Sequence, residues 1–161
     1  MAFRYSDKYK KYSLDMHVNV TRDEFLKQFD PEALAKDIIS TGAEAGMMYI
    51  QSHYGYSYWP TKVGEMHPGL IGNEDAFNKG GMDVDVYFSM IYNNWAYDHH
   101  PEWRIKDING NYSRDKGRRF GLCCPNSEGY KKFCRDQIAD FTEYVGPYEA
   151  FFADMTFWPT V

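Results

Sequence analysis

Long hydrophobic runs are absent from this chain of 161 residues, and no stretch of about 18 apolar residues is available to cross a membrane as a helix. The first residues carry basic side chains without an apolar segment behind them, so they show no mark of export. Basic residues are outnumbered, with 18 Lys and Arg against 23 Asp and Glu and a net charge of −5. Because nucleic-acid-binding surfaces are normally basic, we expect neither a membrane nor a nucleic acid as a partner.

Cysteine is nearly absent, with three residues at Cys123, Cys124 and Cys134. An odd number with two adjacent members fits neither a disulfide framework nor the ligand spacing of a zinc site. We therefore expect a reducing compartment and a cytoplasmic location. A cysteine nucleophile ahead of the following helix is an alternative, but no base is paired with it.

Metal-binding patterns are missing as well. His17, His53, His99 and His100 follow no HExxH or other zinc spacing, and the adjacent pair before Pro101 is typical of a turn. We expect no metal and no other cofactor, and keep a metal-dependent hydrolase of barrel type as an alternative.

Aromatic residues, in contrast, are abundant: they make up 18% of the chain, with 14 Tyr, 11 Phe and 4 Trp. Tyr and Trp combine a flat apolar face with a polar tip. Such surfaces suit ligands that are both apolar and hydroxylated, and sugars are of this kind. The composition therefore predicts a carbohydrate ligand.

The hydrophobic pattern alternates between strands and helices. One helix is predicted from the cap Asp30 and Pro31 to near Gly42, and another from the cap Ser127 to Gly146. Short apolar segments predict four strands at 16–20, 46–51, 84–92 and 147–155, and a short helical piece is predicted at 73–80.

Strands that alternate with helices predict parallel βαβ units with right-handed connections. There is no Rossmann glycine fingerprint, and four such units correspond to half of a (β/α)₈ TIM barrel, which needs about 250 residues. We therefore expect an α/β fold with a single domain over residues 1–161, forming the N-terminal half of a truncated barrel.

The predicted strands end at residues that suit sugar chemistry. Asp154 leaves the fourth strand beside Trp158, which we expect to contact the substrate sugar. A carboxylate at this position can stabilise the oxocarbenium-like state of glycoside hydrolysis. Its alternatives are a helix cap and an ion-pair partner.

Long loops follow the second and third strands, and ligands bind at the carboxyl ends of parallel strands. The first of these loops offers His53, Tyr54 and Trp59 for contacts with a sugar ring and its hydroxyls. We expect these residues to converge with His17, the 92–95 stretch and Asp154.

Four segments in this order resemble the glycosyl hydrolases related to the α-L-fucosidases, including the group called hypothetical glycosyl hydrolase family six. They are SHYGYSYWPTKVGEMHPGL, YFSMIYNNWAYDHHPEW, CPN at 124–126 and FFADMTFWP. The resemblance runs from MHVNV onward and implies a (β/α)₈ barrel with retaining hydrolysis through a glycosyl-enzyme intermediate.

By position, the resemblance implies that Asp154 is the nucleophile and that His17, His53 and Trp59 bind the sugar. Ser52, Tyr54 and Pro60 stand where the fucosidases carry a histidine and two acidic residues, so the resemblance does not specify fucose. The family's general acid/base comes from the second half of the barrel. The alternative function is a non-catalytic carbohydrate-binding half barrel that acts as a homodimer.

Overall fold

In the computed structural model, which describes residues 7–22, 24–70 and 82–157, four parallel strands form one sheet in the order β1-β2-β3-β4. The strands are β1 at Lys11–Ser13, β2 at Ala45–Tyr49, β3 at Asp83–Ser89 and β4 at Ala150–Asp154. Sequential order with parallel pairing is the arrangement that βαβ units produce. The predicted α/β class is therefore confirmed, whereas closure into an eight-stranded barrel stays a prediction.

Within the described residues, four α-helices connect or flank the strands. They are α1 at Glu24–Lys27, α2 at Pro31–Ser40, α3 at Asn94–His99 and α4 at Glu128–Val145. Short 3₁₀ turns occupy Val20–Arg22, Pro68–Leu70, Pro101–Trp103 and Ser113–Lys116. Among the described residues, no helix has both the length and the apolar character required to span a bilayer.

The two predicted helices form where their caps indicate. The Asp30 carboxylate accepts a hydrogen bond from the Ala33 amide at 2.9 Å, with Pro31 at the first position of α2. The Ser127 hydroxyl caps α4 in the same way, and Gly146 ends α4 with a φ of +76°. Both helix predictions are confirmed.

The first strand was predicted wrongly. It lies at Lys11–Ser13, whereas residues 16–20 form a loop that leads into a 3₁₀ turn. The backbone of this loop bonds to partners other than a neighbouring strand: the Tyr58 hydroxyl donates to the Met16 carbonyl at 2.5 Å. Strand β3 also ends at Ser89, earlier than predicted. The helical piece predicted at 73–80 lies outside the described residues.

One face of the sheet packs against α4. Val84, Val86 and Phe88 alternate along β3 and share a buried cluster with Phe133 and Phe141 of the helix. The interior of this cluster is apolar and closed to solvent, so this face supplies the main core.

The opposite face carries tyrosines in place of aliphatic residues. The strand register places Tyr49 beside Tyr87 and Tyr87 beside Phe152. The rings of Tyr49 and Tyr87 stack at 3.9 Å with an interplanar angle of 14°. Asp154 follows Phe152 by two residues and therefore lies on this same face, at the carboxyl end of the sheet.

Candidate functional site

Two open cavities lie side by side at the carboxyl ends of the strands. The first, which we call the Asp154 cavity, has a volume of about 680 Å³. The second, the Arg22 cavity, has a volume of about 550 Å³. His17 and Arg119 line both cavities, so the two form neighbouring compartments with a common wall.

Asp154 is fixed at the rim of the first cavity by two hydrogen bonds. The Tyr87 hydroxyl donates to Oδ2 at 2.5 Å, and the Met155 amide donates to Oδ1 at 2.7 Å. Met155 itself has a φ of +54°, which an unbranched residue adopts at a cost. Backbone strain directly after an oriented carboxylate is a feature of functional sites.

His17 and His53 lie against each other in the wall of this cavity. Their ring centroids are 3.8 Å apart with an interplanar angle of 32°, and the His53 amide donates to Nδ1 of His17 at 3.3 Å. His53 Nδ1 lies 2.8 Å from the Ser89 hydroxyl oxygen. The loop at 15–19 and the loop that follows β2 therefore hold the two imidazoles as a pair.

The hydrogen bonds fix which ring nitrogens carry protons. Ser89 donates its only hydroxyl proton to the Tyr92 carbonyl at 2.8 Å, so Nδ1 of His53 must be the donor to Ser89. Nδ1 of His17 accepts from an amide and is therefore unprotonated. In the neutral rings, Nε2 of His53 is an acceptor and Nε2 of His17 is a donor, with Oδ1 of Asp15 3.6 Å from the latter.

Both imidazoles are held neutral near pH 7. The pKa of His53 is lowered to about 4, first by burial and then by the nearby His17 ring, against the opposing pull of Asp154. Burial also lowers the pKa of His17, although the carboxylates of Asp15 and Asp154 act in the other direction. Burial raises the pKa of Tyr87, and its hydrogen bond to Asp154 adds to this, so the phenol remains a donor.

Tyr54 contributes to the second cavity and does not line the first. Its ring is buried, and its hydroxyl oxygen accepts hydrogen bonds from Nε and Nη2 of Arg119 at 3.0 and 2.5 Å. The structure thus places Tyr54 next to the predicted site, where its hydroxyl holds the Arg119 guanidinium in position.

Trp59 is not at the site. Its side chain is 0% exposed, packs against Phe141 and donates its indole proton to Asp140 on α4 at 3.0 Å. A side chain enclosed in the core cannot contact a sugar, so the prediction of a substrate-binding Trp59 is wrong. Trp158 lies outside the described residues.

Of the other sequence candidates, one lies beside the site and two lie away from it. Trp95 stacks on Phe133 and bonds to Glu65, whereas Tyr92 contacts the His53 ring at 5.0 Å. Burial raises the pKa of the Cys123 thiol and keeps it protonated. Because the thiolate is the nucleophilic form, Cys123 is unsuited to act as a nucleophile.

The structure adds residues that the sequence analysis missed. They are Asp15, Tyr49, Arg119 and Phe120 in the wall of the Asp154 cavity, and Tyr87 behind the carboxylate. A tyrosine in an otherwise apolar strand is a signal that could have found Tyr49 and Tyr87. Arg119 and Phe120 lie in a long irregular loop and gave no signal of this kind.

Comparison with known proteins supports the fold through structure alone. No family model and no curated protein matches the sequence. α-L-Fucosidase isoenzyme 2 from Paenibacillus thiaminolyticus is similar with a TM-score of 0.77 and 18% identity, over 95% of this chain and 24% of that one. An α-fucosidase from Thermotoga maritima, in complex with a mechanism-based inhibitor, is similar with a TM-score of 0.53 and 20% identity, over 83% and 30%.

A hypothetical protein from Ruminiclostridium thermocellum ATCC 27405 is similar with a TM-score of 0.61 and 14% identity, over 94% of this chain and 78% of that one. The chain thus spans about a quarter to a third of the fucosidases' length and most of this shorter protein. At these identities the likeness concerns the fold. The resemblance to α-L-fucosidases inferred from the sequence motifs is confirmed at that level.

Proposed function

Starting from the fold that it shares with part of the α-L-fucosidases, we propose that this chain carries the nucleophile half of a retaining glycoside hydrolase. Asp154 is the proposed nucleophile, and His17 and His53 are the proposed sugar-binding residues. The observation that carries the proposal is the Asp154 carboxylate, oriented by Tyr87 and Met155 in a cavity that it shares with two neutral imidazoles.

In the proposed reaction, one oxygen of Asp154 attacks the anomeric carbon as the bond to the glycosidic oxygen breaks. The departing oxygen takes a proton from a general acid, and water later releases the sugar from Asp154. Tyr87 and the Met155 amide fix the carboxylate and leave free lone pairs on its oxygens for the attack.

A retaining mechanism requires a second carboxyl group about 5 to 5.5 Å from the nucleophile. The resemblance stated above assigns that group to the second half of the barrel. We therefore propose that the acid/base reaches Asp154 from another segment or another chain. The histidines would orient the sugar: Nε2 of His17 donates to one hydroxyl and Nε2 of His53 accepts from another.

The test is covalent labelling with 2-deoxy-2-fluoro glycosyl fluorides of fucose and galactose. Fluoride leaves without being protonated, so labelling requires the nucleophile and not the general acid. We expect a fluoroglycosyl adduct on the peptide that contains Asp154, located by mass spectrometry.

Two variants sharpen this test. D154N should abolish the adduct, because an amide is a poor nucleophile, while D37N on the exposed surface of α2 should leave it unchanged. Labelling of Asp15, which lines the same cavity, would reject the assignment of Asp154.

A second candidate function is a carbohydrate-binding homodimer without catalysis. The observation that favours it is the exposure of Phe151 and Phe152 on β4, the last strand of the described sheet. Such an edge favours a further pairing partner. Light scattering that shows a dimer, together with sugar binding and no adduct, would support this candidate over the hydrolase.

A further inference from the structure

The Arg22 cavity has a basic wall that the proposed hydrolysis does not use. Arg22 and Arg119 both line it, together with Asn19, Thr21 and Tyr54. Within residues 7–22, 24–70 and 82–157, neither guanidinium forms an ion pair with a carboxylate. Arg114 shows the contrasting case, because its guanidinium is paired with Asp98 at 2.7 Å.

Arg119 is held in place by a neutral group. Nε and Nη2 both donate to the Tyr54 hydroxyl, and the guanidinium carbon lies 4.9 Å from the centre of the Phe120 ring. These contacts orient the guanidinium without pairing it directly with a carboxylate. A rigidly oriented arginine next to an open cavity is well suited to an oxyanion.

The polar side chains beside Arg22 add donors to this wall. The side-chain oxygen Oδ1 of Asn19 accepts from the Thr21 backbone amide at 3.1 Å, so the side-chain NH₂ of Asn19 is left as a donor. The Thr21 hydroxyl can donate as well. A cavity with two guanidinium groups, an amide and a hydroxyl favours a ligand with negatively charged oxygens.

We propose that the Arg22 cavity binds an oxyanion carried by the saccharide, either the carboxylate of a uronic acid or a sulfate ester. This inference rests on the proposed function, which places the scissile bond in the Asp154 cavity. Because His17 and Arg119 line both cavities, one ligand can occupy the two together. The substrate class is then an anionic glycan.

The experiment compares three tetrasaccharides of galactose units: a neutral one, an oligogalacturonate and a sulfated one. Binding is measured by amide chemical shifts of the labelled chain at low ionic strength. We expect the charged ligands to bind about tenfold more tightly than the neutral one, as one charge-assisted hydrogen bond allows, with shifts at residues 18–22. The better of the two charged ligands identifies carboxylate or sulfate as the group that is recognised.

R22Q should remove most of this difference, whereas K36Q makes the same change of charge on the exposed surface of α2 and should preserve it. Added salt should weaken the preference. Equal binding of neutral and charged ligands, or an equal loss in K36Q, would overturn the proposal.

The labelling of Asp154 distinguishes failure of this inference from failure of the proposed function. Labelling without anion preference rejects the role of the Arg22 cavity alone. Anion preference without labelling rejects the hydrolase and leaves an anionic-glycan binding site.

Discussion

On one face of the sheet, Val84, Val86 and Phe88 are covered by α4, whereas on the other face Tyr49, Tyr87 and Asp154 approach an open cavity. Successive residues of a strand point to opposite faces, so β3 takes part in both. Apolar residues on the helix side bury area and stabilise the fold. Residues on the cavity side position hydroxyl and carboxylate groups at the cavity. They contribute through the placement of these groups and less through buried area.

Replacing one phenylalanine on each face is the largest test of this comparison. F141A removes a fully buried ring from the helix side and should lower the free energy of unfolding by about 3–5 kcal/mol. F152A removes a ring that is 44% exposed and should cost about 1 kcal/mol. Urea unfolding curves measure both, and equal losses would show that the two faces contribute alike to stability.

The packing on the helix side of the sheet extends into the loop after β2. Asp140 on α4 accepts hydrogen bonds from the Trp59 indole, the Thr61 hydroxyl and the Lys62 amide at 3.0, 2.7 and 3.0 Å. Partial burial acts to raise the pKa of Asp140, but these hydrogen bonds outweigh it and the pKa is lowered. The loop is thereby tied to α4 through an ionised carboxylate.

We expect D140N to lower the free energy of unfolding by about 1–3 kcal/mol at pH 7, because hydrogen bonds to a charged group are lost. A lowered pKa gives stability that is present above the unfolded value and lost as the pH falls through the folded one. The difference from the wild type should therefore shrink on acidification. D136N, which breaks an exposed pair with Lys132 one turn earlier, should cost about 0.5 kcal/mol; a larger cost would contradict this account.

A third substitution tests the cavity side. Y87F removes the hydroxyl that orients Asp154 and should slow labelling by the fluoroglycoside about tenfold, with an unfolding free energy reduced by about 1 kcal/mol. Because Tyr87 is a positioning residue, Y87F should lower the maximal rate constant of labelling. The fluoroglycoside concentration that gives half of this maximal rate should stay unchanged. Y148F makes the same change on the α4 side and should label at the wild-type rate; slower labelling in Y148F would remove the distinction.

The helix side of the sheet was largely predictable from the sequence. The Ser127 cap, the Gly146 stop and apolar residues at helical spacing predict helix α4, and all of these are local signals. The end of β4 at Asp154 was likewise visible, because a short apolar run is interrupted there by a carboxylate. The first strand was missed because three residues are too few to show an alternation.

The cavity side was predictable only in part. Arg119 reaches Tyr54 across 65 positions of sequence, and no periodic pattern connects them. Trp59 was misplaced because a tryptophan in a loop looks the same whether its ring points outward or into the core. Its partner Asp140 lies 81 positions away, a distance at which local patterns carry no information.

The smallest expected effect is on the titration of His53, which lies on the cavity side near the Asp154 carboxylate. Because the folded pKa of His53 is about 4 and the unfolded value is 6.5, the native state binds fewer protons between these values. The contribution of His53 to stability is complete above pH 6.5, decreases as the pH falls to about 4 and then stays constant. Proton NMR should show the His53 ring titrating near pH 4.

The carboxylate of Asp154 raises the pKa of His53 against burial, so D154N should move this titration to still lower pH. D140N removes a carboxylate from the α4 side and should leave the titration where it is. The two variants carry the same change of charge, and their difference depends only on which side of the sheet they occupy. Equal shifts in both would mean that the helix side and the cavity side share one electrostatic environment, and the division between them would then hold for packing but not for charge.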